Sequence, residues 1–352
     1  MALFEVTEYD RRIYTQELKD FLPDRIIDVH THVYKKCFFD QTPPAQVHKT
    51  VSWTGLVASE DPIEDLQETY RLMFPGKDVR SLMFISGRTG KEKNNAYLSQ
   101  VSKETGWPAL FYSRPEMSAD EIERSIRDGG FLGLKSYLST APSYIPTKQI
   151  RVFDFFPKHQ LARLNEMGGI CMLHIPRDGR LADPVNYCQI AEIKEQFPNV
   201  RLIVAHIGRA YTRQNIGDAF ETLDRYPDLM YDFSANCCEY AITEVLKHAG
   251  SEHLMFGTDM PILRMRCRRI EENGTYINLV PRGLYGDVSA DPHMRELDEQ
   301  EGKEVTFFAY EELLAFKRAC AALGLGRQDV ENVMYNNAAK LIEGARRDIY
   351  GE

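Results

Sequence analysis

The chain has 352 residues, 43% of them apolar and 27% charged, so it is long enough to bury a substantial core as one large α/β domain or two ordinary ones. Its 52 acidic residues against 43 basic ones leave a net charge of −9, which argues against nucleic acid and for a small molecule as partner. No stretch approaches the roughly 18 apolar residues of a membrane span, and no basic segment followed by an apolar run opens the chain, so a cytoplasmic protein without a membrane partner is expected.

Residues 1–24 are mixed and polar and read as an N-terminal cap. Short β-rich apolar runs then recur at 26–33, 81–85, 109–112, 133–138, 170–175, 202–207, 230–234 and 253–258, which predicts eight strands. Helical spacing fills the intervals at 62–74, 94–104, 119–128, 155–167, 187–197, 215–226 and 240–249. Some of these segments carry clear boundaries, such as Ser118 with Glu121 three residues on, and Gly129-Gly130 or Gly168-Gly169 behind. Alternation of this kind implies a parallel sheet covered on both faces, and eight repeats favour a closed (β/α)8 barrel over an open doubly wound sheet. No Gly-x-Gly-x-x-Gly follows the first strand, which removes the simplest dinucleotide-binding alternative.

Two connections are too long for plain loops. Residues 34–61 contain Thr42-Pro43-Pro44 and Trp53, and residues 261–308 form an insertion with Arg264, Arg266, Arg268 and Arg269 close together; both are expected over the barrel mouth. Helical patterns at 310–323 and 329–342 close the chain, within a C-terminal helical region at 309–346. The expected organisation is a single TIM-barrel domain over 1–352, with strands 1–8 inside 25–260. The seven cysteines include no Cys-x-x-Cys pair and read as reduced thiols, the adjacent Cys237 and Cys238 included.

In such a barrel the working residues sit at the C-terminal ends of the strands. Those ends carry His30 and His32 on strand 1, Lys135 on strand 4, His174 on strand 5, His206 on strand 6 and Asp259 after strand 8. His30 and His32 share one face of their strand, about 7 Å apart along the backbone, with Asp28 below them. Each histidine alone could be a hydrogen-bonded structural residue. Together they converge on one mouth, and imidazoles with one carboxylate suit zinc, with iron or manganese as alternatives.

These motifs resemble the amidohydrolase superfamily, in the amidohydrolase-related (amidohydrolase 2) branch. Asp28-Val29-His30-Thr31-His32 is similar to the family's strand 1 motif, Leu173-His174 to its strand 5 ligand, Ala205-His206-Ile207-Gly208 to its strand 6 histidine and Phe256-Gly257-Thr258-Asp259-Met260-Pro261 to its strand 8 aspartate. Tyr335-Asn336-Asn337-Ala338-Ala339-Lys340-Leu341 resembles its closing helix, so the likeness spans roughly 25–345. What the resemblance implies is one divalent metal, Zn2+ in the first place and Mn2+ or Fe2+ otherwise, on His30, His32, His174 and Asp259. It would activate a water whose proton Asp259 takes. His206 would polarise a substrate carbonyl or hold the water with one metal bound, or ligate a second. Lys135 is a carboxylated bridge between two metals, an unmodified lysine, an anchor for a substrate carboxylate, or a structural ion pair with Asp28 or Asp232; a single metal is favoured.

Arg177 and Arg209 follow strands 5 and 6 and place guanidinium forks suited to carboxylate or phosphate beside these ligands, whereas Arg213 reads equally as a surface charge. Tyr137, Trp53 and Tyr34 could wall an apolar or ring-shaped ligand or simply pack. The expectation is a metal-dependent hydrolase acting on an amide, ester or lactone of a small carboxylated substrate, in a homo-oligomer. The alternatives are a non-oxidative decarboxylase of an aromatic or unsaturated acid and a barrel that binds a small molecule without catalysis.

Overall fold

The computed structural model describes residues 2–40, 53–87 and 90–352. Thr42-Pro43-Pro44 and the side chain of Trp53 lie outside the described residues. Eight short parallel strands, β1 (Arg25–His32), β2 (Asp78–Phe84), β3 (Phe111–Tyr112), β4 (Gly133–Lys135), β5 (Ile170–Leu173), β6 (Arg201–Val204), β7 (Met230–Asp232) and β8 (Leu254–Met255), follow one another around a closed ring. β3 to β8 pair in sequence order and β1 pairs with β2. Two joints close the ring. The Met83 N–H donates to Pro108 O at 2.9 Å and the Leu110 N–H to Met83 O at 2.8 Å, and on the other side the Val29 N–H donates to Phe256 O at 3.0 Å and the Asp259 N–H to His30 O at 2.7 Å. The fold is the (β/α)8 barrel that the alternation of runs predicts.

Alternate residues along the strands, such as Ile27 and Val29, Leu82 and Phe84, and Ile170 and Met172, point into one buried cluster. The cluster also takes in Leu341, Ile342 and Ala345 of the helix Asn337–Tyr350. Arg25, the first residue of β1, lies 4.1 Å over the Tyr335 ring just before that helix. The C-terminal helix therefore covers the N-terminal end of the barrel and leaves the histidine-bearing end to the loops. The opposite strand faces bury against the surrounding helices, whose limits follow local chemistry: Ser118 and Glu121 form a reciprocal capping box, and Gly130 closes the same helix in the left-handed conformation at φ 73°.

Several elements differ from expectation. The helix expected over 215–226 shrinks to Ala219–Leu223, because Gly217 at φ 50° turns the chain just before it. The strand expected over 133–138 ends at Lys135, and a 3-10 turn begins at Leu138. The insertion after β8 holds a small sheet of its own, in which β9 (Arg268–Glu272) runs antiparallel and β11 (Met294–Glu296) parallel to β10 (Thr275–Val280). Its four arginines do not cluster. Arg264 pairs with Asp61, Arg266 reaches Asp10 at 2.6 Å, Arg268 donates to Glu304 O at 2.9 Å, and Arg269 lies 4.3 Å over the Tyr276 ring. Asp10 is fully buried, so its bonds from Arg266 and Thr306 pin the N-terminal segment against the insertion. All seven cysteines are free thiols. Among the described residues no helix is long and apolar enough to cross a membrane.

Candidate metal centre

β1 ends where it does because its polar groups are satisfied on the way to the mouth. Asp28 is fully buried and accepts from the backbone N–H of His30 at 3.0 Å and of Thr258 at 2.9 Å, from the Tyr70 hydroxyl at 2.8 Å and from the Thr258 hydroxyl. The two bonds from Thr258 tie β1 to the loop after β8, and the one from Tyr70 ties it to the helix Ile63–Met73. Burial still outweighs them and raises the Asp28 carboxyl to about 7. Gly257 is required at this junction, since a Cβ on it would stand 2.8 Å from the Cβ of His30. Asp259 then turns inward with a left-handed backbone at φ 56°.

Three donor atoms meet at this seam. His32 Nε2 lies 2.9 Å and His30 Nε2 3.5 Å from the same Oδ1 of Asp259. The other nitrogen of each ring decides what faces that oxygen. His32 Nδ1 is 3.1 Å from the carbonyl of Ile85 and His30 Nδ1 is 3.0 Å from Oδ2 of Asp232. Carbonyl and carboxylate oxygens only accept, so both Nδ1 atoms carry a proton and Nε2 is the nitrogen that each ring can offer to a ligand. With the rings neutral, two lone pairs and a carboxylate oxygen aimed at one another repel unless a cation stands among them. The donor set thus fits a divalent metal ion.

A second carboxylate organises the rings from behind. Asp232, at the end of β7, holds the Nδ1 of His30 and accepts at Oδ1 from the backbone N–H of His206 and of Ser234, both at 3.0 Å. His206 in turn directs Nδ1 at the carbonyl of Ser234 at 2.9 Å, which leaves its Nε2 as an acceptor, and its ring centroid is 4.5 Å from that of His30. His174 stands beside it, ring centroids 5.3 Å apart, with a buried Nδ1 that has no hydrogen-bond partner among the described residues.

Electrostatics keep these groups ready to bind a cation. Burial lowers His30 to about 4 against the pull of Asp232, and it also lowers His206 and, with the Arg209 charge, His174, so all three imidazoles are neutral at pH 7. Burial would raise Asp259, but the imidazoles of His32, His206 and His30 around it prevail and hold it at about 2. Asp232 is held well below the ordinary carboxylate range by His30 and Ser234, despite its burial.

The remaining expected residues divide. Lys135 is buried, lies 5.0 Å over the Phe84 ring, and makes none of the ion pairs with Asp28 or Asp232 considered from sequence; burial lowers its ammonium to about 8, although Asp232 and Asp259 draw it upward. Tyr137 packs its ring 4.5 Å from that of His174. Arg209 is buried and directs Nη1 to the carbonyls of Ile175, Pro176 and Arg177 at 3.3 to 3.5 Å. Arg177 stands 3.8 Å from Asp183, a neutralising partner. Arg213 stacks 4.0 Å over Tyr240 away from the centre, and Tyr34 is buried against Phe39. Sequence reading names Asp232 only as an ion-pair partner for Lys135 and passes over Ser234; an aspartate at the mouth end of an inward strand, two residues before a serine, was the available signal.

The amidohydrolase family profile matches residues 27–272. Among solved structures, an amidohydrolase from Burkholderia multivorans aligns with TM-score 0.56 and 12% identity, over 90% of this chain and 99% of that one. A 2-pyrone-4,6-dicarboxylic acid hydrolase assigned in Pseudomonas putida aligns at 0.54 with 15% identity, over 92% and 99% of the two chains. A 5-carboxyvanillate decarboxylase from Novosphingobium aromaticivorans, solved with bound manganese, aligns at 0.54 with 13% identity, over 92% and 97%. At such identities the likeness is one of fold. No curated protein matches the sequence.

Proposed function

The chain belongs to the amidohydrolase family, whose profile covers residues 27–272, and on that premise we propose a metal-dependent hydrolase that cleaves an amide, ester or lactone bond of a small carboxylated substrate. The observation that carries this reading is the meeting of His30 Nε2 and His32 Nε2 on Asp259 Oδ1, with both Nδ1 protons already committed elsewhere. His30, His32, His174 and Asp259 would hold the ion, zinc by the chemistry of nitrogen donors with one carboxylate and manganese or iron as alternatives. When bound, such an ion supplies Lewis acidity and a water of lowered pKa.

The protein side of the chemistry is proton traffic and anchoring. Asp259, ionised far below neutrality, takes the proton of the attacking water at its carboxylate and returns it to the leaving group. His206, oriented by Ser234 and Asp232, faces the centre with Nε2 and engages the substrate carbonyl when protonated, or the water when neutral. Lys135, with its buried ammonium, and Arg209 bind the acidic part of the substrate, and Tyr137 packs against it. Arg177 serves less directly, since Asp183 already neutralises it.

A second reading, a non-oxidative decarboxylase, draws on the buried Lys135 near the two carboxylates of the centre: an ammonium there could protonate carbon after carbon dioxide leaves. Chelator-treated protein, reconstituted with zinc or manganese and assayed against small carboxylated lactones, esters and amides, should regain hydrolysis only with metal. Release of carbon dioxide without hydrolysis would move the assignment to the second reading, and metal-independent turnover would remove both.

A further inference from the structure

One edge of the centre adds to Arg209 two guanidinium groups, on Arg180 and Arg269, that the proposed chemistry does not use. Arg180 comes from the loop after β5, Arg209 from the loop after β6 and Arg269 from β9 of the insertion. Tyr211 and Tyr276 stand edge to face, centroids 5.2 Å apart, and support the cluster. Arg180 lies 4.9 Å from the first ring and 5.1 Å from the second, and Arg269 4.8 Å and 4.3 Å. The Tyr211 ring is 6.5 Å from that of His206, so this shelf borders the metal centre on its β6 side.

Other arginines at the mouth have carboxylates: Arg177 has Asp183, Arg264 has Asp61 and Arg266 has Asp10. Among the described residues neither Arg180 nor Arg209 has one within ion-pair distance. Arg180 donates to the Arg209 carbonyl at 3.4 Å and to Asn215 Oδ1 at 3.2 Å, and Arg209 reaches only backbone carbonyls. Both residues are held with left-handed backbones, φ 61° and 59°, which non-glycine residues adopt at a cost. Like charges brought together out of water repel, and burial together with Arg209 and Arg269 lowers Arg180 from its usual value. Such an arrangement is relieved by an anion from outside, and the partly exposed Arg180 can be reached by one.

We infer that Arg180 and Arg209, within the field of Arg269 and on the Tyr211–Tyr276 shelf, form an anion subsite for a carboxylate or phosphate group remote from the reacting bond. The substrate of the proposed reaction is then a dianion, with one acidic group toward Lys135 and the second held by Arg180 and Arg209. This rests on the hydrolase reading for the identity of the substrate, but the subsite itself does not depend on metal.

The test is calorimetric titration of the metal-loaded and metal-stripped protein with isophthalate, benzoate and inorganic phosphate as probes. Isophthalate should bind more tightly than benzoate in both forms, and Arg180→Gln should weaken isophthalate at least about tenfold, the size of losing a charged hydrogen bond, with metal stoichiometry and melting temperature unchanged. Tighter binding of phosphate than of isophthalate would assign the subsite to a phosphorylated substrate. Should Arg180→Gln not fold, Arg180→Lys carries the test: it keeps the charge but loses the fork, and weaker isophthalate with unchanged benzoate is expected. Equal affinity for isophthalate and benzoate in wild type, or no change in whichever variant folds, would overturn the subsite. Loss of metal binding with isophthalate binding intact would instead remove the hydrolase reading alone.

Discussion

Where β1 meets β8, acceptors outnumber what the chain offers them: two Nε2 lone pairs and a carboxylate oxygen share one point, with Asp232 behind. Where β5 meets β6 the balance is reversed, with Arg180 and Arg209 lacking any carboxylate among the described residues. The first side is arranged around a missing positive charge and the second around a missing negative one. A barrel mouth polarised in this way suits a cation on one side and an acidic substrate entering from the other, with His206 between them.

The sharpest way to break that contrast is to remove a ring from each side. His30→Ala and His174→Ala should both lose stoichiometric metal when measured by elemental analysis, because the two sides contribute to one ion; retention by His174→Ala would confine the centre to β1 and β8. Asp259→Asn should keep much of its metal while turnover falls about 10²- to 10⁴-fold, the range of general acid–base catalysis; full activity with a cognate substrate would remove the proton shuttle. Asp232→Asn leaves every proposed ligand in place but loosens His30 and His206 together, so metal affinity by competition with a chelator should drop about 10- to 100-fold. The smallest effect belongs to Lys135. Its ammonium, lowered to about 8 by burial, anchors a substrate carboxylate below that pH and loses its charge above it. KM should therefore rise by up to about tenfold per pH unit above about pH 8, at lower pH if the bound ion depresses the lysine further, and Lys135→Met should flatten the rise.

Much of this was readable from the chain because connectivity decides which strand ends converge. Once eight runs alternate with helices, His30, His32, His174, His206 and Asp259 must face one mouth, whatever their separation in sequence. Gly257 and Gly133 were legible only as glycines; the structure adds that a side chain at the first would strike His30 and at the second the backbone of Ile170. Asp232 was not legible as an organiser, because a strand-ending aspartate reads equally well as an ion-pair partner, and its role depends on which ring nitrogen it meets. The sheet of β9 to β11 was not legible because β9, Arg-Arg-Ile-Glu-Glu, carries a single apolar residue and β11 is only three residues long, which leaves β10 without a recognisable partner strand. Arg180 depends on a left-handed turn that no local pattern announces.

Anomalous diffraction from crystals of the protein as purified bears on the central claim most directly. A single anomalous peak bounded by His30 Nε2, His32 Nε2, His174 and Asp259, with an absorption edge of zinc, manganese or iron, is the expected result. Crystals of protein reconstituted with all three metals that show no peak at these strand ends would contradict it.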